Sequence, residues 1–311
     1  LEFRRVLFRS DGTVLHFFNI EKMQHRAIGN DWTRKYEYQK LNNRLLSTFV
    51  GDIANAQNYT KYNHHATHGF ITAMPHLDAL DWNFKEELVK TIRQKRNDGG
   101  TPETTYYQYD GGGQRIRKIT ENQAAPGNTP TIKEERIYIA GYETYRTYQA
   151  NSINFERESL SLLDGSHRFV MIETVVKNAE ANPPPSERIG ERLVRYQLHN
   201  HLGSASLELN EQAQIINYEE YHPYGTTAYQ IKNAPIKATA KRYRYTGMER
   251  DEESGFSYHS ARYYLPWLGR WLSTDPIGIG DGVNVYGYCR GNPIKLLDAK
   301  GKAGNCKSNT S

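Results

Sequence analysis

From about residue 104 onward the chain is a succession of short β-type runs broken by turn signals, and this rhythm limits the fold more than any other feature. Residues 104–110 lead through Gly111-Gly112-Gly113 into residues 114–119, a hairpin signal because glycine tolerates the positive φ of tight turns. Residues 135–139 and 142–148 flank Ala140-Gly141, and Asp164-Gly165 separates 158–163 from 167–176. Residues 192–198 and 205–209 flank Asn200-His201-Leu202-Gly203, and 215–221 follow the polar stretch at 210–212. Five hairpin-like units in a row predict an antiparallel β-meander and argue against a βαβ fold. Residues 122–130 and 178–187, the latter with Pro183-Pro184-Pro185, read as surface loops, since a proline trio cannot donate to a ladder. The first hundred residues are less regular: Trp82, Phe84, Leu88, Val89 and Ile92 fit an amphipathic helix about as well as a strand.

Composition agrees with a β-rich chain. Nineteen of the 23 tyrosines lie between Tyr106 and Tyr288, and tyrosine suits half-buried strand faces where the ring packs and the hydroxyl reaches a polar rim. An aromatic surface for sugar or single-stranded nucleic acid is the alternative use of so many rings. Forty basic and 35 acidic residues give a net charge of +5, but the signs are interspersed and no run of five basic residues occurs, so no nucleic-acid partner is expected. The longest apolar runs are too short for a transmembrane helix, so no membrane insertion is expected. Cys289 and Cys306 exclude a disulfide scaffold and a four-cysteine zinc site.

Among candidate ligands, His64, His65 and His68 form a His-His-x-x-His cluster, but no glutamate follows the first histidine as zinc proteases require, and no metal is expected. His199 and His201 flank a turn, where hydrogen bonds to backbone are the expectation. No nucleophile elbow, phosphate-binding loop or dinucleotide motif occurs, so no cofactor is expected.

The motif Tyr109-Asp110-Gly111-Gly112-Gly113-Gln114-Arg115-Ile116 resembles a YD repeat, in which Tyr packs at the strand end, Asp accepts turn N–H groups and Gly makes the reversal. The stretch from Arg195 through Tyr221-His222-Pro223-Tyr224-Gly225 resembles an Rhs repeat. Tyr243 to Asp251, Ser254 to Tyr264, Pro266-Trp267-Leu268-Gly269-Arg270-Trp271, Asp275-Pro276-Ile277-Gly278 and Asn292-Pro293 then resemble, in order and spacing, the Rhs-repeat-associated core. Trp32 to Tyr38, Asn43-Arg44-Leu45, Thr72 to Leu77 and Gly100 to Tyr106 are similar to the C components of insecticidal toxin complexes. The resemblance covers about Asp31 to Gly301.

The resemblance implies an all-β fold: a spiral of antiparallel hairpins forming part of a hollow shell, closed by the core. Four regions are expected: an atypical segment at 1–30 that reads as a fragment end or cloning artefact, YD/Rhs-repeat hairpins at 31–190, the core at 191–301, and a disordered tail at 302–311. The implied function is structural, a shell fragment that encapsulates a C-terminal toxic payload, secreted by a toxin route. The partners are a toxin-complex B component or missing N-terminal repeats, together with the payload. The core also resembles an aspartyl autoprotease, whose acidic pair maps onto Asp275 and Asp298 and whose arginine maps onto Arg262. Two carboxylates held together cannot both ionise easily, so one keeps a proton while the other activates water. The family reads Asp-Pro-x-Gly-Leu before the cut, whereas this chain has Asp298-Ala299-Lys300-Gly301-Lys302. A charged chain in an apolar subsite costs ~2–3 kcal/mol, so slow or absent self-cleavage is expected. An active self-cleaving protease and a carbohydrate-binding or adhesive surface protein are the alternative functions.

Overall fold

The computed structural model describes residues 19–26, 29, 31–51, 60–165, 167–232, 240–302 and 307–308. The segment 1–18 and most of the tail lie outside these residues, and so do the expectations for them.

Four short strands, β1 (Lys22–His25), β2 (Trp32–Tyr38), β3 (Leu45–Val50) and β4 (Thr60–Lys61), form an antiparallel sheet in chain order. A two-stranded ribbon follows, β5 (Asn63–His64) with β6 (Ile71–Ala73). A twelve-stranded antiparallel meander then runs in strict chain order. Its strands are β7 (Leu77–Trp82), β8 (Leu88–Arg93), β9 (Thr104–Tyr109), β10 (Arg115–Glu121), β11 (Ile132–Ile139) and β12 (Tyr142–Gln149). They continue as β13 (Ser152–Asp164), β14 (His167–Asn178), β15 (Arg192–His199), β16 (Ala205–Leu209), β17 (Ile215–Tyr221) and β18 (Thr227–Lys232). The expected meander is therefore observed. The segment around Trp82 and Leu88 is a hairpin, not a helix, and no α-helix occurs among the described residues.

After the meander comes a compact core sheet of β19 (Glu249–Arg250), β20 (Ser257–His259), β21 (Arg262–Leu265) and β22 (Arg270–Trp271). Finally β23 (Leu296–Leu297) pairs with β24 (Lys307–Ser308). Strands β14 and β15 pair across the loop at 179–191, Val170 facing Tyr196 and Ile172 facing Val194.

One turn recurs through the wall. Asp110 Oδ1 accepts the N–H groups of Gly112 and Gln114 at 2.8 and 2.9 Å. Asn83 does the same for Lys85 and Glu87, Asn200 for Leu202 and Ser204, and Asn210 for Gln212 and Gln214. In each turn the residue three places on has positive φ: Glu86, Gly113, Gly203 and Ala213. A short side-chain acceptor and a left-handed residue are the physical content of the repeat, so Asn replaces Asp freely and Gly becomes optional at a strain cost.

The tyrosine excess is largely internal. Tyr36, Tyr62, Tyr107, Tyr224, Tyr245, Tyr263, Tyr264, Tyr286 and Tyr288 are all buried. Three of their hydroxyls reach main-chain carbonyls: Tyr264 to Tyr224 at 3.0 Å, Tyr245 to Pro223 at 2.8 Å and Tyr286 to Gly69 at 2.7 Å. One apolar cluster joins the N-terminal sheet and β7–β9 to the core through Leu45, Ile71, Leu88, Phe256, Leu265 and Leu272. A second packs Leu202, Tyr224, Tyr245, Tyr264, Trp271, Tyr288 and Cys289.

The two faces of the meander differ. Toward the core lie buried Glu143, Glu173, Arg195, Glu208 and Glu219. On the opposite face the cross-strand row Leu162, Val170, Tyr196, Leu209 and Ile215 is mostly apolar, with Leu162, Tyr196 and Ile215 exposed. Strands β7 and β18 stand at the sheet's two edges. An unpaired edge beside an apolar face favours pairing with other chains. The isolated chain should therefore associate with rising concentration in light scattering, and a monodisperse monomer at all concentrations would contradict an open wall.

Two substitutions test the turn chemistry in opposite senses. Gly225 has φ +90°, and a Cβ there would overlap the Tyr245 ring. Gly225→Ala should cost about 2–5 kcal/mol in urea unfolding, summing left-handed strain and overpacking. Ala213→Gly should raise stability by roughly 0.5–1 kcal/mol, the strain relieved less the extra chain entropy of glycine.

Candidate functional site: an arginine between two buried aspartates

Arg262 begins β21, and the alternation of that strand turns its side chain away from Tyr263 and into the space between two loops. Asp275 opens one loop: its Oδ1 accepts the Ile277 N–H at 3.0 Å and its carbonyl accepts the Gly278 N–H at 2.9 Å. The Asp-Pro-Ile-Gly turn thus fixes the carboxylate with one oxygen in the turn and the other free to face Arg262. Asp298 follows β23, where the chain passes back across the β20–β21 hairpin.

The structure brings all three sequence-predicted residues together. Arg262 Nη2 lies 2.9 Å from Asp275 Oδ2 and 3.3 Å from Asp298 Oδ2. Arg262, Asp275 and Asp298 are 2%, 6% and 0% exposed, so water screens none of the pairs. The guanidinium is also held from the side and above. Its Nε donates to the Gly301 carbonyl at 2.6 Å, and its Cζ sits 4.2 Å from the centre of the Trp271 ring, a cation–π contact in a dry setting.

The main chain of residue 302 is part of the same cluster. Lys302 N–H donates to Asp298 Oδ1 at 3.1 Å, while the Lys302 residue itself is exposed. Burial pushes the Asp298 carboxyl above its ordinary value, and the nearby Asp275 adds to that; Arg262 and the Lys302 and Lys300 N–H groups oppose it. Its carboxyl therefore keeps a proton more readily than a free aspartate does. This is an acid pair with a fixed counter-ion, one member of which already touches the main chain of residue 302.

The sequence did not point to His259. Its Nδ1 donates to the Asp298 carbonyl at 2.7 Å, and the residue is fully buried. Burial in an aromatic setting lowers its pKa to about 4, with Arg262 adding in the same sense, so the ring is neutral. A single histidine in Ser-Tyr-His-Ser carries no spacing signal. Only the register of β20 beside residue 298 shows its partner.

The other histidines have ordinary roles. His64 places its two ring nitrogens 2.8 and 2.9 Å from the Gly69 and Leu45 carbonyls, one of them donating, and His68 pairs with Glu86 at 2.6 Å. Those contacts fold the loop between β5 and β6, and no group of three metal-ligating side chains occurs among the described residues. His201 reaches the Ile294 carbonyl at 2.8 Å, as expected of a turn histidine, while His199 packs on His167.

No protein-family model matches the chain. Toxin subunit YenC1 of Yersinia entomophaga is 32% identical over 92% of this chain and 28% of its own length. Toxin subunit YenC2 of the same organism is 33% identical over 72% of this chain and 22% of its own length. In the crystal structure of TcdB2-TccC3, 87% of this chain superposes at a TM-score of 0.67 and 29% identity, on 14% of that chain. The chain therefore spans about a quarter of the curated relatives it matches. The motifs, the wall of turn-linked hairpins and these similarities lead to one conclusion: the chain is an Rhs/YD-repeat protein with an Rhs-repeat-associated core, similar to the C component of insecticidal toxin complexes.

Proposed function

We propose that this chain is part of a hollow toxin shell that encapsulates a C-terminal payload, and that Asp275, Asp298 and Arg262 form an aspartyl self-processing site acting after Lys302. In this reading the wall pairs through its free edges with further repeats or with a toxin-complex B component, and the whole assembly is secreted. The observation that carries the catalytic part is the contact of the Lys302 N–H with a carboxylate that shares Arg262 with a second carboxylate.

The chemistry follows from the geometry. Asp275, paired with Arg262 at 2.9 Å, takes a proton from water as that water's oxygen adds to the Lys302 carbonyl carbon. Asp298, holding the proton, hydrogen-bonds the carbonyl oxygen as charge develops there and then protonates the leaving nitrogen. The C–N bond breaks, leaving a carboxylate on residue 302 and an amine on residue 303. Tethering of the substrate removes the bimolecular cost, so a slow catalyst suffices for one turnover. The exposed lysine at 302 lies where the family has an apolar residue, and this weakens the step.

Intact-mass measurement on the purified chain tests the reading. The unaltered protein should keep its tail over hours. Lys302→Leu should release residues 303–311 at least ~10-fold faster, the lower end of what an apolar subsite discriminates. Asp275→Ala should abolish release in that background. Retention of the tail by Lys302→Leu would sink the protease reading, and quantitative release by the unaltered chain would show that Lys302 does not impair it.

The same cluster sets an acid limb of stability. His259 has its pKa lowered from 6.5 to about 4, so its contribution is complete above 6.5 and is lost as pH falls toward 4. That loss is on the order of 3 kcal/mol. Asp298 acts with the opposite sign: its raised value makes its contribution full below the unfolded 3.8 and lost as pH rises through the folded value. Melting temperature should therefore fall between pH 6.5 and 4 in the unaltered chain. It should fall less in His259→Asn; equal slopes would refute a neutral buried imidazole.

A further inference from the structure

We propose that His259 is a positioning residue for the aspartyl pair: its Nδ1–H fixes the main chain of Asp298 and thereby the carboxylate that meets Arg262 and the Lys302 N–H. The role assigned to the pair rests on the self-processing reading above, but the placement of Asp298 does not.

Residues 298–301 lie on the β20–β21 hairpin as a strap held by its backbone. His259 Nδ1 donates to the Asp298 carbonyl at 2.7 Å, Ala261 N–H to the Lys300 carbonyl at 3.3 Å and Arg262 Nε to the Gly301 carbonyl at 2.6 Å. The approach is close at the far end, since a Cβ on Gly301 would stand 2.8 Å from the His259 carbonyl oxygen and 2.9 Å from Arg262 N. At the near end the imidazole bonds the Asp298 main chain. Arg262 contacts Asp298 through its carboxylate instead.

The ring cannot serve in the other tautomer. It is bounded edge-on by Tyr264, Trp271 and Tyr288, with ring centres 5.8, 5.1 and 6.4 Å away. Its Nε2 is buried with no hydrogen-bond partner among the described residues. A hydrogen on Nε2 would be an orphaned donor and would leave the Asp298 carbonyl facing a lone pair, two penalties at once. The aromatic box therefore selects the Nδ1–H form, and that form has one acceptor to reach. The charged and titratable groups facing the ring are Arg262 and Asp298, with the Tyr264 and Tyr288 phenols kept neutral by burial.

The experiment uses the full chain and two substitutions. Nitrogen-15 NMR of the unaltered protein should show His259 as the Nδ1–H tautomer; the Nε2–H tautomer would overturn the proposal. His259→Phe keeps an aromatic ring and removes the donor, and His259→Asn restores an N–H near the Nδ1 position. In the Phe variant the Lys302 amide should exchange with solvent roughly tenfold faster, the worth of one buried hydrogen bond, and the Asp298 carboxyl titration should move. His259→Asn should restore both. With Lys302→Leu added, self-cleavage should fall with Phe and return with Asn.

Unchanged exchange and titration in a folded Phe variant would refute the positioning role, as would an Asn variant no better than Phe. Should the Phe variant fail to fold, the tautomer and the Asn variant decide. Exchange and titration that respond as expected, in a chain that never cleaves, would refute the self-processing reading and uphold the placement of Asp298 by His259.

Discussion

The structure depends on a line of buried charges that joins the wall to the core. Arg115, on β10, reaches Asp251 at 2.6 Å and Glu249 at 2.7 Å from side chains that are almost wholly buried. Lys118 adds contacts to Asp251 and Glu253 at 2.8 and 3.1 Å. Arg242 joins Glu249 to Glu143 on β12, Lys241 meets Glu219 on β17 at 3.1 Å, and Arg195 on β15 is shared between Glu173 and Glu208. Burying an unpaired charge costs several kcal/mol, so each of these residues is tolerable only in the presence of the others. Burial pushes Glu249 up, yet Arg115, Lys118, Arg242 and Arg136 together outweigh it and hold the carboxyl well below its ordinary range. Such a network adds little net stability over an apolar seam, but a shift of the core segment along the meander would separate the pairs and leave buried charges uncompensated.

That register is transmitted to the acid pair. Glu249 lies in β19 and Asp251 just beyond it, so the clamp fixes the entry to the β19–β22 sheet. Tyr263 then ties the sheet to the wall from the other side, through Tyr109 at 2.8 Å and Arg115 at 3.3 Å. Successive strand residues face opposite ways, so a Tyr263 turned toward the wall leaves Arg262 turned toward residues 275 and 298. The arginine that gathers the two carboxylates is thus aimed by a neighbour whose own partners belong to the wall. The rigidity needed to hold two acids in a dry site is supplied by packing that the acids do not touch.

How much of this was legible in the sequence depended on how local the physics is. The hairpins from β9 to β17 could be read because their turns are marked locally, by a glycine as at Gly113, Gly141, Gly165 and Gly203 or by a short polar acceptor as at Asp110 and Asn200. The same unit at Asn83 and Asn210 was not recognised as such, since Asn for Asp and Glu86 or Ala213 for Gly keep the geometry and discard the letters. Arg262, Asp275 and Asp298 were legible only through motif resemblance; no spacing rule links positions 13 and 36 apart. His259 was invisible because its partner is a backbone carbonyl. The charge network was equally hidden: Arg195 and Glu208 look like exposed strand residues until the core segment is laid over them.

The inverted polarity of the wall follows from the same constraint. A soluble sheet usually turns its apolar face to the core, yet here buried Glu, Arg, Gln and Asn face inward while Leu162, Tyr196, Leu198 and Ile215 are exposed. The core segment can be clamped by charge only if the facing side chains are charged. With a side-chain period of two, that choice commits the alternate positions to the other face. Apolar residues there are compatible with strand propensity, and β-branched and aromatic side chains favour it. Selecting a single docking register by ion pairs therefore leaves an apolar face and two open edges as its consequence. Those features suit a piece of a larger wall better than a free-standing domain, because neighbouring chain can satisfy the edges without disturbing the clamp that holds the acid pair.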